Sequence, residues 1–154
     1  MICSLLSTGF EKYSEKDRYI KSLQRITELL YFKGCRDFCI PAAPGIPLWA
    51  GEIICGMKEY LRISLRIYSP YEDITAGWPP VERNEFYAVR ERADSFIFLN
   101  RSRSEGCFKE CEAALANVCD VLVLIDGDIS SPCDRSVIKY AHDKKITLIH
   151  EIIE

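Results

Sequence analysis

Ile40-Pro41-Ala42-Ala43-Pro44-Gly45-Ile46-Pro47-Leu48-Trp49-Ala50-Gly51-Glu52 is the stretch from which the rest of the chain can be read. A short apolar run over residues 38–40 enters a turn of Pro, Ala and Gly, and apolar residues follow at Leu48, Trp49, Ile53, Ile54 and Met57. That order is strand, turn, helix. In an open α/β sheet such a turn lies at the carboxyl end of a strand, where a ligand meets the free N–H groups of a helix start. The stretch is therefore the first candidate for a site.

Towards the N-terminus, residues 2–6 form an apolar run that ends in Ser7-Thr8-Gly9, a first strand and a tight turn. Ser14-Glu15-Lys16-Asp17 opens a helix in the manner of a capping box, with the Ser14 hydroxyl placed to accept a first-turn N–H. Tyr19, Leu23, Ile26 and Leu30 recur at three- and four-residue steps with Ile20 beside them, one buried face, and Gly34 ends the helix as a C-cap glycine. Towards the C-terminus, Ile63, Leu65 and Ile67 alternate with Ser64, Arg66 and Tyr68, the period of a third strand. It ends at Ser69-Pro70-Tyr71, in a loop that runs to Trp78-Pro79-Pro80.

A third helix follows over residues 81–93, with Phe86, Val89 and Ala93 on one side. Residues 95–99 are a fourth strand and Asn100-Arg101-Ser102-Arg103-Ser104 a polar, basic loop. The helix predicted over 105–118 carries Phe108, Cys111, Leu115 and Val118 along one stripe. Residues 121–125 are a continuous apolar run, the signature of a central strand covered on both faces, and deliver Asp126-Gly127-Asp128 to the same sheet edge. A helix over 136–142 and a strand over 146–149 complete the chain. Strands alternating with helices in this way predict a Rossmann-like, doubly wound α/β fold: a mainly parallel sheet with helices on both faces, residues 1–154 forming one domain.

Composition narrows the function classes. At 48% hydrophobic and 28% charged the chain reads as soluble and globular, and a formal net charge of -3 gives no bulk electrostatic argument for a nucleic-acid surface. Eight cysteines without a signal-peptide pattern read as reduced thiols of a cytoplasmic protein. There is no C-x-x-C pair, and His142 and His150 are the only histidines, so no familiar four-ligand metal set exists. No apolar run approaches a membrane span.

The 42–52 segment, with its Gly45, Trp49, Ala50 and Glu52, resembles the corresponding turn of the YpsA/YoqJ-like branch of the SLOG superfamily. These are Rossmann-like proteins related to the DNA-processing protein DprA and the cytokinin-activating LOG enzymes. Thr8 and Gly9, Pro70, Trp78 and Asp94 match further family positions, so the resemblance covers nearly the whole chain.

In such a fold the strand ends converge on one crevice, which brings Thr8, Gly9, Ala42, Ala43, Gly45, Pro70, Trp78, Asp126, Gly127 and Asp134 together as ligand-binding candidates, with Trp49 and Glu52 from the second helix. Trp78 and Tyr87 either stack a base or close a lid, or else pack the loop on the core. Glu52 either holds a ribose hydroxyl or serves as a general acid or base; the alternative is a solvated carboxylate in the helix-dipole field.

Departures from the family weigh as much as the matches. Its first loop reads Thr-Gly-His-Arg, where this chain has Phe10 and Glu11 after Gly9. Pro41, Ala42 and Pro47 replace two glycines and an aspartate of the family turn; Pro132, Cys133 and Asp134 replace Gly-Gly-Thr; Cys111 and Glu112 replace an Arg-Asn pair. Proline has no N–H, so each exchange to proline removes a donor from a phosphate cradle, and a hydrogen bond to a charged group is worth roughly 1.5–3 kcal/mol. Arg101, Arg103 and Arg135 either compensate by pairing with phosphates or are ordinary surface arginines.

The resemblance implies a non-catalytic protein that binds or senses a nucleotide or nucleotide-derived small molecule, with no resident cofactor and no nucleic-acid or membrane partner. The alternatives are a nucleosidase or phosphoribohydrolase using Glu52, and an interaction module with a vestigial site. A homodimer is compatible with these readings, although nothing in the residues fixes an interface.

Overall fold

The computed structural model describes residues 1–7, 13–126 and 135–153. Six strands, β1 (Ile2–Ser7), β2 (Asp37–Pro41), β3 (Ser64–Ser69), β4 (Ser95–Phe98), β5 (Val121–Asp126) and β6 (Thr147–Ile152), form one sheet in the order β4-β3-β2-β1-β5-β6. Every pairing is parallel. The connecting helices are α1 (Lys16–Phe32), α2 (Ile46–Met57), α3 (Pro80–Arg92), α4 (Cys107–Val118) and α5 (Arg135–Asp143).

From β1 to β4 the chain steps outward in one direction, and right-handed crossovers then put α1, α2 and α3 on one face; the return from β4 past β1 to β5 puts α4 and α5 on the other. Strand alternation shows both faces covered. Cys3, Leu5, Phe38, Ile40, Leu65, Ile67, Val121, Val123 and Ile125 pack with α1–α3 residues, whereas Leu6, Cys39, Tyr68, Leu122 and Leu124 pack with Cys111 and Leu115 of α4 and Ala141 of α5. The doubly wound fold read from the sequence is thus the fold observed.

Local details refine the boundaries. Ser14 is not the cap of α1: Tyr13–Glu15 form a 3-10 turn, and Glu15 occupies the N-cap position without a side-chain capping hydrogen bond. Gly34 closes α1 at φ +106, and Cys35 N–H donates to Leu30 O at 3.0 Å while Gly34 N–H donates to Tyr31 O, a Schellman pattern. Phe108, read as part of an inward stripe, is 49% exposed; α4 starts at Cys107, and the buried positions are Cys107, Cys111, Leu115 and Ala116. The stripe starts one position before Phe108, which directs that ring outward against Tyr71, edge-on at 6.2 Å.

Helix α2 is the most enclosed helix. It rests so closely on its neighbours that a Cβ at Gly51 would lie 2.8 Å from Ile40 Cδ1 and 3.0 Å from Val89 Cγ1, which ties the helix to β2 beneath and α3 beside it. No helix among the described residues is long and apolar enough to cross a membrane.

Candidate functional site

The strand order reverses between β1 and β5. Ser7 stands opposite Ile125 in register, and the helices that follow these strands, α1 and α5, pack on opposite faces of the sheet. Open α/β sheets bind ligands at such a reversal of strand order. Of the sequence candidates, Thr8, Gly9, Gly127 and Asp134 lie outside the described residues. Asp126 closes β5 opposite Ile152.

The turn after β2 adjoins this edge. Ala42 is buried, its N–H donating to Tyr68 O at 2.8 Å, and Ala43 is half-buried. Gly45 takes the N-cap position of α2 at φ +83 and ψ -141, and its carbonyl accepts the Trp49 N–H at 3.0 Å. Pro47 is the second residue of α2, where its missing N–H takes away one of the donors a helix start otherwise presents. Of the prolines weighed in the sequence, Pro47 stands at the helix start, Pro41 ends β2, and Pro132 lies outside the described residues.

Trp49 is fully buried rather than open to the crevice. Its ring stacks on Tyr19 of α1 at 5.8 Å and 23°, and its indole N–H has no hydrogen-bond partner among the described residues. Pro70 is buried, its carbonyl accepting from Asn100 Nδ2 at 3.0 Å, while Asn100 O accepts the Glu72 N–H; Asn100 thus staples the loops after β3 and β4 together. Half-buried Trp78 packs edge-on against Phe86 at 5.2 Å, which places its ring on the core. Tyr87 is 47% exposed, its hydroxyl sharing a hydrogen bond with Thr75 Oγ1. Both belong to the β3–α3 region, two strands away from β1.

Glu52 is where the structure adds most. Its carboxylate meets Lys16 Nζ at 2.8 Å; Lys16 also meets Glu85 Oε1 at 3.0 Å, and the Tyr13 hydroxyl donates to the same Glu85 oxygen at 2.8 Å. Three helices are joined through one ammonium group. Burial raises the Glu52 carboxyl above its ordinary range, Lys16 opposes this, and Glu85 adds to it. Burial draws the Lys16 ammonium down, but the two carboxylates outweigh it and leave it raised. Lys16, Glu85 and Tyr13 were not singled out in the sequence, because contacts across three helices leave no spacing signal.

Beside this cluster a cleft of about 90 Å³ is lined by Glu52, Cys55, Glu85, Ala88, Val89 and Arg92. A larger one, about 330 Å³, lies at the opposite sheet edge, among Asn117, Cys119, Asp120, Lys144, Lys145 and Ile146. Its place at the amino ends of β5 and β6 sets it apart from the strand-end crevice.

Lys16→Met is expected to lower the unfolding free energy by about 1–3 kcal/mol in urea titrations. It leaves two carboxylates facing each other without their cation, and partial exposure keeps the cost below that of a fully buried pair. An unchanged midpoint would show that the cluster contributes nothing to the native state.

Arg101 and Arg103 are exposed in the loop after the edge strand β4, with the Arg103 guanidinium 5.8 Å from the Phe108 ring. Arg135 opens α5. Among the described residues no group of His, Cys, Asp and Glu is arranged to hold a metal ion. The seven described cysteines are free and buried, and burial pushes the Cys39 thiol up to about 11 and that of Cys111 to about 12.

A family model described as the YspA SLOG family matches residues 6–151. The chain belongs to the YpsA family of SLOG proteins. This YpsA-family chain is 34% identical over 95 residues to a UPF0398 protein of Listeria monocytogenes serotype 4a, covering 60% of this chain and 51% of the relative. A UPF0398 protein of Halalkalibacterium halodurans is 28% identical over 91 residues, covering 57% and 48%, and one of Oceanobacillus iheyensis 22% identical over 102 residues, covering 65% and 55%. The chain spans about half the length of the curated relatives it matches. Family membership carries a nucleotide-related theme but no particular reaction.

Proposed function

We propose that this YpsA-family protein binds a nucleotide or nucleotide-derived small molecule at the carboxyl ends of β1 and β5, without acting on it chemically, in the cytoplasm. The observation that carries this reading is the reversal of strand order between β1 and β5, with the Gly45 start of α2 beside it. Buried free thiols suit a reducing compartment, and a net charge of -3 favours a small molecule over nucleic acid as partner.

Thermal unfolding against nucleotides, nucleosides, NAD and ADP-ribose tests it. A compound at about 100 times its dissociation constant adds roughly 2.7 kcal/mol, a rise on the order of 5–10 °C for a chain of this size. A rise with one class, with the compound recovered unchanged, is the expected result; no rise across the panel would overturn the reading in favour of an interaction module.

A second reading, a nucleosidase or phosphoribohydrolase, draws on Glu52, whose raised carboxyl is suited to hold and release a proton. It requires release of free base that Glu52→Gln abolishes.

A further inference from the structure

Glu85 presents an unusual combination for a half-buried carboxylate. Its Oε1 accepts from both Tyr13 and Lys16, while its Oε2 is buried and has no hydrogen-bond partner among the described residues. A buried carboxylate oxygen without a donor is costly, and native structures rarely leave one so. The Glu52 carboxyl sits beside Glu85 on the same ammonium, Lys16 Nζ meeting Glu52 Oε2 at 2.8 Å and Glu85 Oε1 at 3.0 Å. One oxygen of Glu52 is held by Lys16 at 2.8 Å, which orients the carboxyl.

Two ionised carboxylates at this separation repel, whereas one protonated and one ionised carboxyl form a short, charge-assisted hydrogen bond. A proton on Glu52 supplies the donor that Glu85 Oε2 lacks. We propose that Glu52 and Glu85 share a single proton, and that this proton is the reversible element of a clasp fastening the start of α1 to α2 and α3.

The charged and titratable groups around the pair fit this role. From α1 and the turn before it come Lys16 and Tyr13; α2 contributes Cys55 as well as Glu52. From α3 comes Arg92, which is engaged with Cys55 O at 2.7 Å and Glu59 at 3.0 Å. Among the described residues Lys16 is then the one cation paired with the two carboxylates. With the proton in place the trio Lys16, Glu52 and Glu85 is neutral; release of the proton to water leaves it at -1, with two like charges across the α2–α3 contact.

The direction of the pH effect follows from the geometry and from the upward displacement of the Glu52 carboxyl. A carboxyl raised in the folded state favours the native form most at pH below its unfolded value, near 4.3, and this contribution is lost as pH rises through the folded value. Glu52→Gln keeps a donor for Glu85 Oε2 at every pH.

Two measurements on the full chain test the proposal. In infrared spectra of protein labelled at glutamate carboxyl carbons, a protonated-carboxyl band should persist to a pH above the ordinary glutamate range, and Glu52→Gln should remove it. In thermal unfolding from about pH 4 to pH 8, the Tm of Glu52→Gln should decline less with rising pH than that of the unsubstituted protein, the two curves separating by several degrees at the upper end. Loss of the band in the variant together with the shallower curve supports the shared proton. A persisting band that survives in Glu52→Gln, absence of the band from the unsubstituted protein, or parallel Tm curves would each overturn it. The band in the unsubstituted protein can be read even if the variant fails to fold.

Discussion

Trp49→Ala is expected to lower the unfolding free energy by about 3–5 kcal/mol, on the order of 10 °C in Tm for a chain of this length. The ring is completely enclosed, stacked on Tyr19 across the α1–α2 contact, and belongs to the same buried cluster as Phe38, Ile54 and Phe86. Alanine there removes the contacts that seat the first turn of α2 and leaves a cavity that neighbouring backbone cannot close. Trp49→Phe separates this packing role from ligand contact. It deletes an indole N–H that is buried without an acceptor, a desolvation cost of roughly 1–3 kcal/mol, and so offsets much of the lost area. Near-native stability for phenylalanine beside a large loss for alanine, measured by urea unfolding, is the expected pattern. A phenylalanine variant of native stability that no longer responded to a ligand of the protein would instead place the ring in the binding contact.

Gly45→Val should be comparably damaging, at about 3 kcal/mol. The φ of +83 combined with ψ of -141 lies beyond the ordinary left-handed helical region, in territory that essentially glycine alone occupies. Gly106, at φ +77 and ψ +3, adopts the milder left-handed form, and a residue with a Cβ there would meet nothing within 4 Å. Valine at position 45 therefore either strains the turn or re-aims the start of α2, and a β-branched side chain makes the strain larger. If a ligand lies against this helix start, its affinity falls as well, whereas Gly106→Ala should leave binding intact and cost only about 1–2 kcal/mol, the strain of a Cβ at positive φ. Equal small effects at the two glycines in thermal unfolding would show that the 42–45 turn tolerates other conformations.

Several features of the chain were legible because they are written in local sequence. Alternation at Ile63, Leu65 and Ile67, three- and four-residue steps at Tyr19, Leu23, Ile26 and Leu30, and the unbroken 121–125 run each follow from the periodicity of one element against a flat core. Helix starts were less legible. Ser14 looked like a cap, yet a 3-10 turn carries the chain past it, and α4 begins far enough along to direct Phe108 outward. Capping depends on where the preceding strand delivers the chain, which local residue types do not encode.

The candidate site divides in the same way. That Gly45 starts a helix at a strand end follows from the residues around it, and so does the loss of a donor at Pro47. Trp49, Pro70 and Trp78 sit in the expected segments, but whether their side chains meet a crevice or the core is a matter of how helices and loops settle on the sheet, and all three are drawn inward.

By itself, the sequence determined the order of strands and helices, their parallel arrangement and the family, since these depend on periodicity and on a chain-long pattern of matches. Only the tertiary structure decided that Glu52 is not a solitary carboxylate but shares Lys16 with Glu85, beneath the Tyr13 hydroxyl. The physical reason is that the interaction joins three helices remote from one another in the chain, and the field around a carboxylate is set by what folding brings within a few ångströms of it.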